Sequence, residues 1–249
     1  GVTFLGAQEG QTGYSIVLDS IEHDRTILTF KGANDKLVLA DLDFSQLQAK
    51  WLYSSSLVGL SFETLKAVVD YAAHHTINVA FNPSNYQAKL GYEALSGVLN
   101  KATALILNKE EAQLLTGTQN QEQELALQLT KGATRYVIIT DGANGATGYH
   151  EGKLIHLKPT PKLKVAETTG AGDAFASGFI AGIIEGLDLL ESMKLGMVHA
   201  ESVIAAPGAK VGLLDKRQAL ERIKNFTGTH TSTHIPLRER LHAHETRTH

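Results

Sequence analysis

Along this chain the apolar positions switch between two periods, and the switches mark out a series of short elements. Residues 14–19 (Tyr-Ser-Ile-Val-Leu-Asp) and 25–30 (Arg-Thr-Ile-Leu-Thr-Phe) are rich in β-branched and aromatic side chains. With Glu22-His23-Asp24 as a turn between them, they predict a hairpin, followed by a Gly32-Ala33-Asn34 loop. Residues 51–58 read as a strand that ends in the serine cluster 54–56. The period then becomes helical: Leu65, Val68, Val69 and Ala72 share one face, with Ser61 placed to cap them. After that, short apolar strands alternate with helices. Strands are predicted over 77–81, 102–107 and 136–140, and helices over 86–99, from Asn108 and over 121–129. Two extended stretches, 146–150 and 154–158, suggest an antiparallel pair, and helical pattern fills most of 171–225.

Strands of five or six residues alternating with helices imply right-handed βαβ units and a mainly parallel sheet covered on both faces. Ligands in such folds bind beyond the carboxyl ends of the strands. Polar residues stand at those ends: Asn82, Asn108 and Thr140-Asp141-Gly142. No internal repeat and no linker interrupts 1–225, which reads as one domain. Residues 226–249 differ. They hold five of the eleven histidines, His230, His234, His242, His244 and His249, and their composition predicts a solvated, partly disordered tail. His242 with His244 could chelate a metal, but the spacing fits no structural zinc pattern. Leu237 and Leu241 could add a short helical turn.

Composition narrows the function classes. The chain has 249 residues, 43% of them apolar, which suits a domain with an ordinary core. A net charge of -3 gives no bulk attraction to nucleic acid or to an anionic membrane. There is no cysteine, hence no disulfide or thiol chemistry, and this is compatible with a cytoplasmic location. The longest apolar stretch, 179–190, is broken by Glu185 and Asp188, and no signal peptide is visible. No Walker A loop occurs.

The stretch that concentrates chemistry is Glu167-Thr168-Thr169-Gly170-Ala171-Gly172-Asp173-Ala174-Phe175, lying between an extended run and a helix rich in small residues. A helix starting near Ala171 would aim its free first-turn amides over the glycines and make an anion site. Asp173 is then a carboxylate beside a place suited to phosphate. It could accept a proton from an attacking hydroxyl, or it could simply favour the helix dipole at a tight turn. Asn108-Lys109-Glu110-Glu111 reads two ways as well: Asn108 and Glu111 as a capping box, or as an amide and a carboxylate that organise hydrated Mg²⁺. Thr140-Asp141-Gly142-Ala143-Asn144-Gly145-Ala146 is a glycine turn between strands. Asn82 is a turn residue or a polar contact for a ligand.

Taken together and in order, Thr-Thr-Gly-Ala-Gly-Asp-Ala-Phe, Asn-Lys-Glu-Glu and Thr-Asp-Gly-Ala-Asn-Gly resemble the motifs of the PfkB (ribokinase-like) carbohydrate kinases. The resemblance implies a three-layer α/β/α sandwich with a small β lid formed by the hairpin. It implies Asp173 as catalytic base and Gly170, Ala171 and Gly172 as anion hole. It implies Asn108 and Glu111 at Mg²⁺ and phosphate, and Thr140, Gly142 and Gly145 at the nucleotide. His199 falls where relatives carry an adenine-side Asn, although a packing histidine reads as well. Asn34 and Asn82 are candidate substrate contacts, and Glu167 with 205–208 lies near a K⁺ site of some relatives. The implied activity is ATP-dependent phosphorylation of a sugar hydroxyl, with a homodimer formed through the lid. The alternatives are an inactive nucleotide-binding pseudo-kinase, a kinase of a nucleoside or vitamin alcohol, and a scaffold. The resemblance starts on interior family sequence, so we expect the family's N-terminal segment to be missing, with its first strand, part of the lid, a sugar-binding Asp and a Gly-Gly loop. That loss would expose sheet edge.

Overall fold

The computed structural model describes residues 10–19, 25–130 and 133–235. Its main sheet has seven strands in the order β3 (Trp51–Ser54), β4 (Asn78–Phe81), β5 (Ala104–Asn108), β6 (Tyr136–Thr140), β7 (Ala146–His150), β8 (Lys153–Leu157) and β9 (His230–His234). A separate antiparallel pair, β1 (Thr12–Asp19) with β2 (Arg25–Gly32), is the predicted hairpin; its turn, 22–24, lies outside the described residues.

The strands are apolar at successive positions because both sheet faces are covered. Val79, Phe81, Leu105, Leu107, Val137 and Ile139 pack on one face against α1 (Leu60–His74), α3 (Gly91–Leu99), α4 (Lys109–Thr116) and α5 (Glu122–Gln128). The alternate positions, Ala80, Ala104, Ile106 and Ile138, pack on the other face against α6 (Ala171–Ile184) and α7 (Leu189–Ile204). This is the predicted three-layer sandwich. A final helix, α8 (Lys216–Lys224), covers Leu195 and Val198 of α7. The small side chains of α6 set how closely α6 and α7 approach. A Cβ on Gly178 would lie 2.9 Å from Leu195 O, and one on Gly182 would lie 2.8 Å from Ser192 Cα.

Four expectations change. The sheet is evenly mixed: β3 to β6 pair in parallel, whereas β7, β8 and β9 join antiparallel. The tail predicted to be disordered supplies β9, and Ile235 N donates to Gly152 O at 2.7 Å while its side chain is buried. Residues 236–249, with Leu237, Leu241, His242, His244 and His249, lie outside the described residues. Ser61 does not cap α1, whose N-cap is Gly59. Its hydroxyl instead donates to Asn34 O at 2.8 Å and accepts from Leu37 N at 2.9 Å, tying the hairpin's exit loop to the helix. The single helix expected over 86–99 is divided into α2 (Asn85–Ala88) and α3, because Gly91 takes a left-handed φ of 78°.

Candidate active site

The carboxyl ends of β4, β5 and β6 converge on the N-terminus of α6. Asn82, Asn108, Glu111, Thr140, Gly170, Gly172 and Asp173 together line a cleft of about 190 Å³ there. Residues up to 91 positions apart in sequence thus meet because three strands end at one level and one helix starts opposite them. The parallel register sets Asn108 beside Thr140.

Gly170 is the N-cap of α6 with a left-handed φ of 82°. A Cβ there would come within 2.9 Å of Ala209, so both backbone conformation and packing require glycine. A Cβ on Gly172 would meet no atom within 4 Å, and the space it would occupy belongs to the cleft. Ala171 N donates to Thr168 O at 3.3 Å, and the first i→i−4 bond of the helix runs from Ala174 N to Gly170 O at 2.9 Å. The amides of Gly172 and Asp173 therefore precede the helical ladder, where the helix dipole is positive. The Asp173 side chain is exposed at this mouth.

Asn108 and Glu111 do form the capping box: Glu111 N donates to Asn108 Oδ1 at 2.8 Å and Asn108 N donates to Glu111 Oε2 at 2.9 Å. The cap also faces the cleft, so the structural and ligand-binding readings of the pair coexist. Burial pushes the Glu111 carboxyl up to about 7, against the lowering bond from the Asn108 amide, and the Glu110 and Asp173 carboxylates add to the rise. Lys109 is turned to other partners, pairing with Glu122 at 2.6 Å and Asp141 at 3.3 Å.

Beside the cleft, across the start of α6, lies a groove of about 870 Å³. Gly142, Ala143, Asn144, Thr168, Ala171 and residues of the 158–165 segment border it, together with Met197, Ala200, Glu201 and Ile204 of α7. Gly142 thus borders the groove. Gly145 does not line the groove; a Cβ there would sit 2.1 Å from Leu157 O, so this glycine serves the close contact of the β6–β7 turn with β8. His199 also falls elsewhere. It lines a separate cavity with Gly178, Leu195 and Ala219, where burial and the Arg222 charge hold its imidazole below the ordinary value. Residues 197, 200, 201 and 204 form one helical face, and 199 lies about 200° around the helix from 201. Asn34 is held at the base of the hairpin, accepting from Gly13 N at 3.4 Å, and it does not line the cleft. Glu167 Oε2 accepts from Gly208 N at 2.8 Å, which ties the start of the motif to the segment that follows α7.

Tyr53 was missed in the sequence. It is the penultimate residue of β3, and its hydroxyl accepts from Asn82 Nδ2 at 3.1 Å. Burial raises its phenol above the ordinary value, the Asn82 bond opposes this, and the Asp173 carboxylate adds to it. The signal was its place beside the serine cluster at a strand's carboxyl end.

A family model described as pfkB family carbohydrate kinase matches residues 2–216. An uncharacterized sugar kinase of Archaeoglobus fulgidus is 27% identical over 215 residues, covering 84% of this chain and 83% of its own. The 5-dehydro-2-deoxygluconokinase of Clostridium perfringens is 28% identical over 154 residues, which are 60% of this chain but 44% of that protein, so the chain spans less than half of the clostridial enzyme. The ribokinase of Thermotoga maritima shares the fold with a TM-score of 0.72 at 22% identity, over 87% of this chain and 71% of that one. With the match running from residue 2 to the start of α8, this chain belongs to the pfkB family of carbohydrate kinases, phosphotransferases with an alcohol group as acceptor.

Proposed function

We propose that the chain transfers the γ-phosphoryl group of ATP to a hydroxyl of a sugar or sugar-like molecule, with Asp173 as catalytic base. The observation that carries this reading is the position of Asp173: its carboxylate shares one small cleft with the first-turn glycines of α6 and with Asn82, Asn108, Glu111 and Thr140. In the proposed reaction the acceptor hydroxyl gives its proton to Asp173 as its oxygen attacks the γ-phosphorus. The bond from phosphorus to the bridging oxygen breaks, and ADP leaves. The amides of Gly172 and Asp173 and the dipole of α6 offset the charge on the transferring group. Positioning and electrostatics supply most of the rate in such transfers.

The nucleoside portion fits the 870 Å³ groove and the phosphates fit its junction with the cleft at residues 168–172. Among the described residues no cluster of three or more His, Cys, Asp or Glu could cage a metal. The paired Asn108 and Glu111 nevertheless suit Mg²⁺, which keeps most of its waters and arrives with phosphate ligands. They would hold those waters, and the ion would supply charge neutralisation at the phosphates. Asn82 and Tyr53 border the acceptor side.

The hairpin supports a homodimer. Tyr14, Ile16 and Leu18 of β1 lie on the same face as Phe30 and Leu28 of β2, and all five side chains are exposed. Such a patch on two strands fits a second copy of the same lid.

The test is ADP release from Mg-ATP in the presence of ribose, fructose, 2-keto-3-deoxygluconate, fructose phosphates and nucleosides. We expect one class to stimulate release, and Asp173→Asn to cut kcat by about 10²–10⁴-fold. Stimulated release that Asp173→Asn leaves intact would remove the base assignment. No stimulated release by the folded parent, with Mg-ATP still bound, would favour the pseudo-kinase.

A further inference from the structure

The groove beside the catalytic cleft is walled largely by apolar groups, among them Leu163, Val165, Met197 and Ile204. One acidic side chain enters this wall, Glu201 of α7, and it is only 9% exposed. Thr160 holds it from both ends: Thr160 N donates to Oε1 at 2.6 Å, and Thr160 Oγ1 donates to Oε2 at 3.1 Å. Burial pushes its carboxyl up, while the two Thr160 bonds and the Arg222 guanidinium pull it down. A buried carboxylate is costly to keep when an apolar residue would pack the same wall. Each of its oxygens offers two lone-pair positions, and Thr160 takes one on each. The remaining acceptor capacity adjoins the groove, whose border also carries Asn144, Lys158 and Lys162.

We infer that Glu201 reads the base of the phosphoryl-donor nucleotide, accepting a hydrogen bond from an exocyclic amino group and rejecting a ring carbonyl at the same place. The inference rests on the assignment of this groove to the nucleotide. A carboxylate has no proton to offer a carbonyl, so a base that presents oxygen leaves two acceptors facing each other in a dry wall. Sites built to pair a polar group discriminate strongly against the analogue that leaves it unpaired. Adenine presents an amino group at the ring position where hypoxanthine presents a carbonyl. A carboxylate that served only to clasp the 159–161 segment would not distinguish the two.

The experiment is calorimetric titration of Mg-ATP and Mg-ITP into the parent chain and into Glu201→Gln, with the melting temperature of each protein recorded. We expect the parent to bind ATP about tenfold or more tightly than ITP. In Glu201→Gln the amide can keep one Thr160 bond and donate to a carbonyl, so the ratio should fall to about one or invert. Equal affinity for ATP and ITP in the parent would overturn the inference without any variant. A ratio unchanged in a folded Glu201→Gln, even with both affinities weakened, would reduce Glu201 to a clasp while the kinase reading stands. Failure of the parent to bind either nucleotide would overturn the groove assignment and this inference with it.

Discussion

Gly170 and Gly172 stand two residues apart in one turn, and different forces select them. Gly170 is demanded by the chain itself, through its φ of 82° and the approach of Ala209. Gly172 has open space where a side chain would be. Gly170→Ala should therefore lower stability by about 1–3 kcal/mol in thermal or denaturant melts. Gly172→Ala should leave stability intact or slightly raised, as alanine favours helix, yet raise the KM for ATP in steady-state assays. Glu111 gives a pH signature. Its folded carboxyl, at about 7, lies above its ordinary 4.5, so in that interval the folded state binds more protons than the unfolded chain. Stability contributed at this residue is thus lost as pH rises from about 4.5 to about 7. Glu111→Gln should remove that slope, seen as a parent-minus-variant difference in melting temperature that changes across this window and is flat above it. The motifs holding these residues were legible because backbone geometry and capping chemistry restrict residue type there. Tyr53 and Glu201 carry no such local pattern; only the folded chain sets Tyr53 against Asn82 and Glu201 on the groove.

Among the elements, helix phase and strand partners decided what periodicity left open. The 3.6-residue pattern identified α7 as a helix, but its apolar residues occur on more than one face. Packing against α6 and α8 then turned 197, 200, 201 and 204 toward the groove and His199 away from it. That rotation is locked by close contact, since Gly196 and Gly182 leave no room between α6 and α7. Gly182→Val would press on Ser192 backbone 2.8 Å away and should cost about 1–3 kcal/mol in denaturant unfolding. The hairpin was legible from its β-branched and aromatic composition, whereas its exposed apolar face is set by the fold. Ile16→Lys puts a charge into the centre of that face and should shift the chain toward monomer in sedimentation velocity, with little change in the melting of the main sheet.

For the whole molecule, the parallel half of the sheet carries the site and the antiparallel half closes the fold. β5 and β6 are buried on both faces, and their carboxyl ends deliver Asn108 and Thr140 to the mouth of α6. β9 contributes almost no side-chain burial, as every residue of it is exposed. It covers the backbone edge of β8, and Ile235 anchors it in the core on the α1 side. Ile235→Ala should therefore lower stability by about 2 kcal/mol or more and promote association through the loosened β8 edge, measured by denaturant titration and light scattering.

The amino-acid sequence by itself determined the alternation of strands and helices, the positions of the strands buried on both faces, and the three motifs at the carboxyl ends. These are properties of local runs: apolar continuity, capping chemistry and glycine at strained turns. Tertiary structure alone decided that His230–His234 is a strand, because its pairing uses backbone N–H and C=O groups that every residue has. It alone decided that Ser61 ties down a loop, that His199 lies away from the groove beside the cleft, and that Glu201 enters that groove. Each of these depends on which surfaces meet, and that is set by long-range packing rather than by any window of the chain.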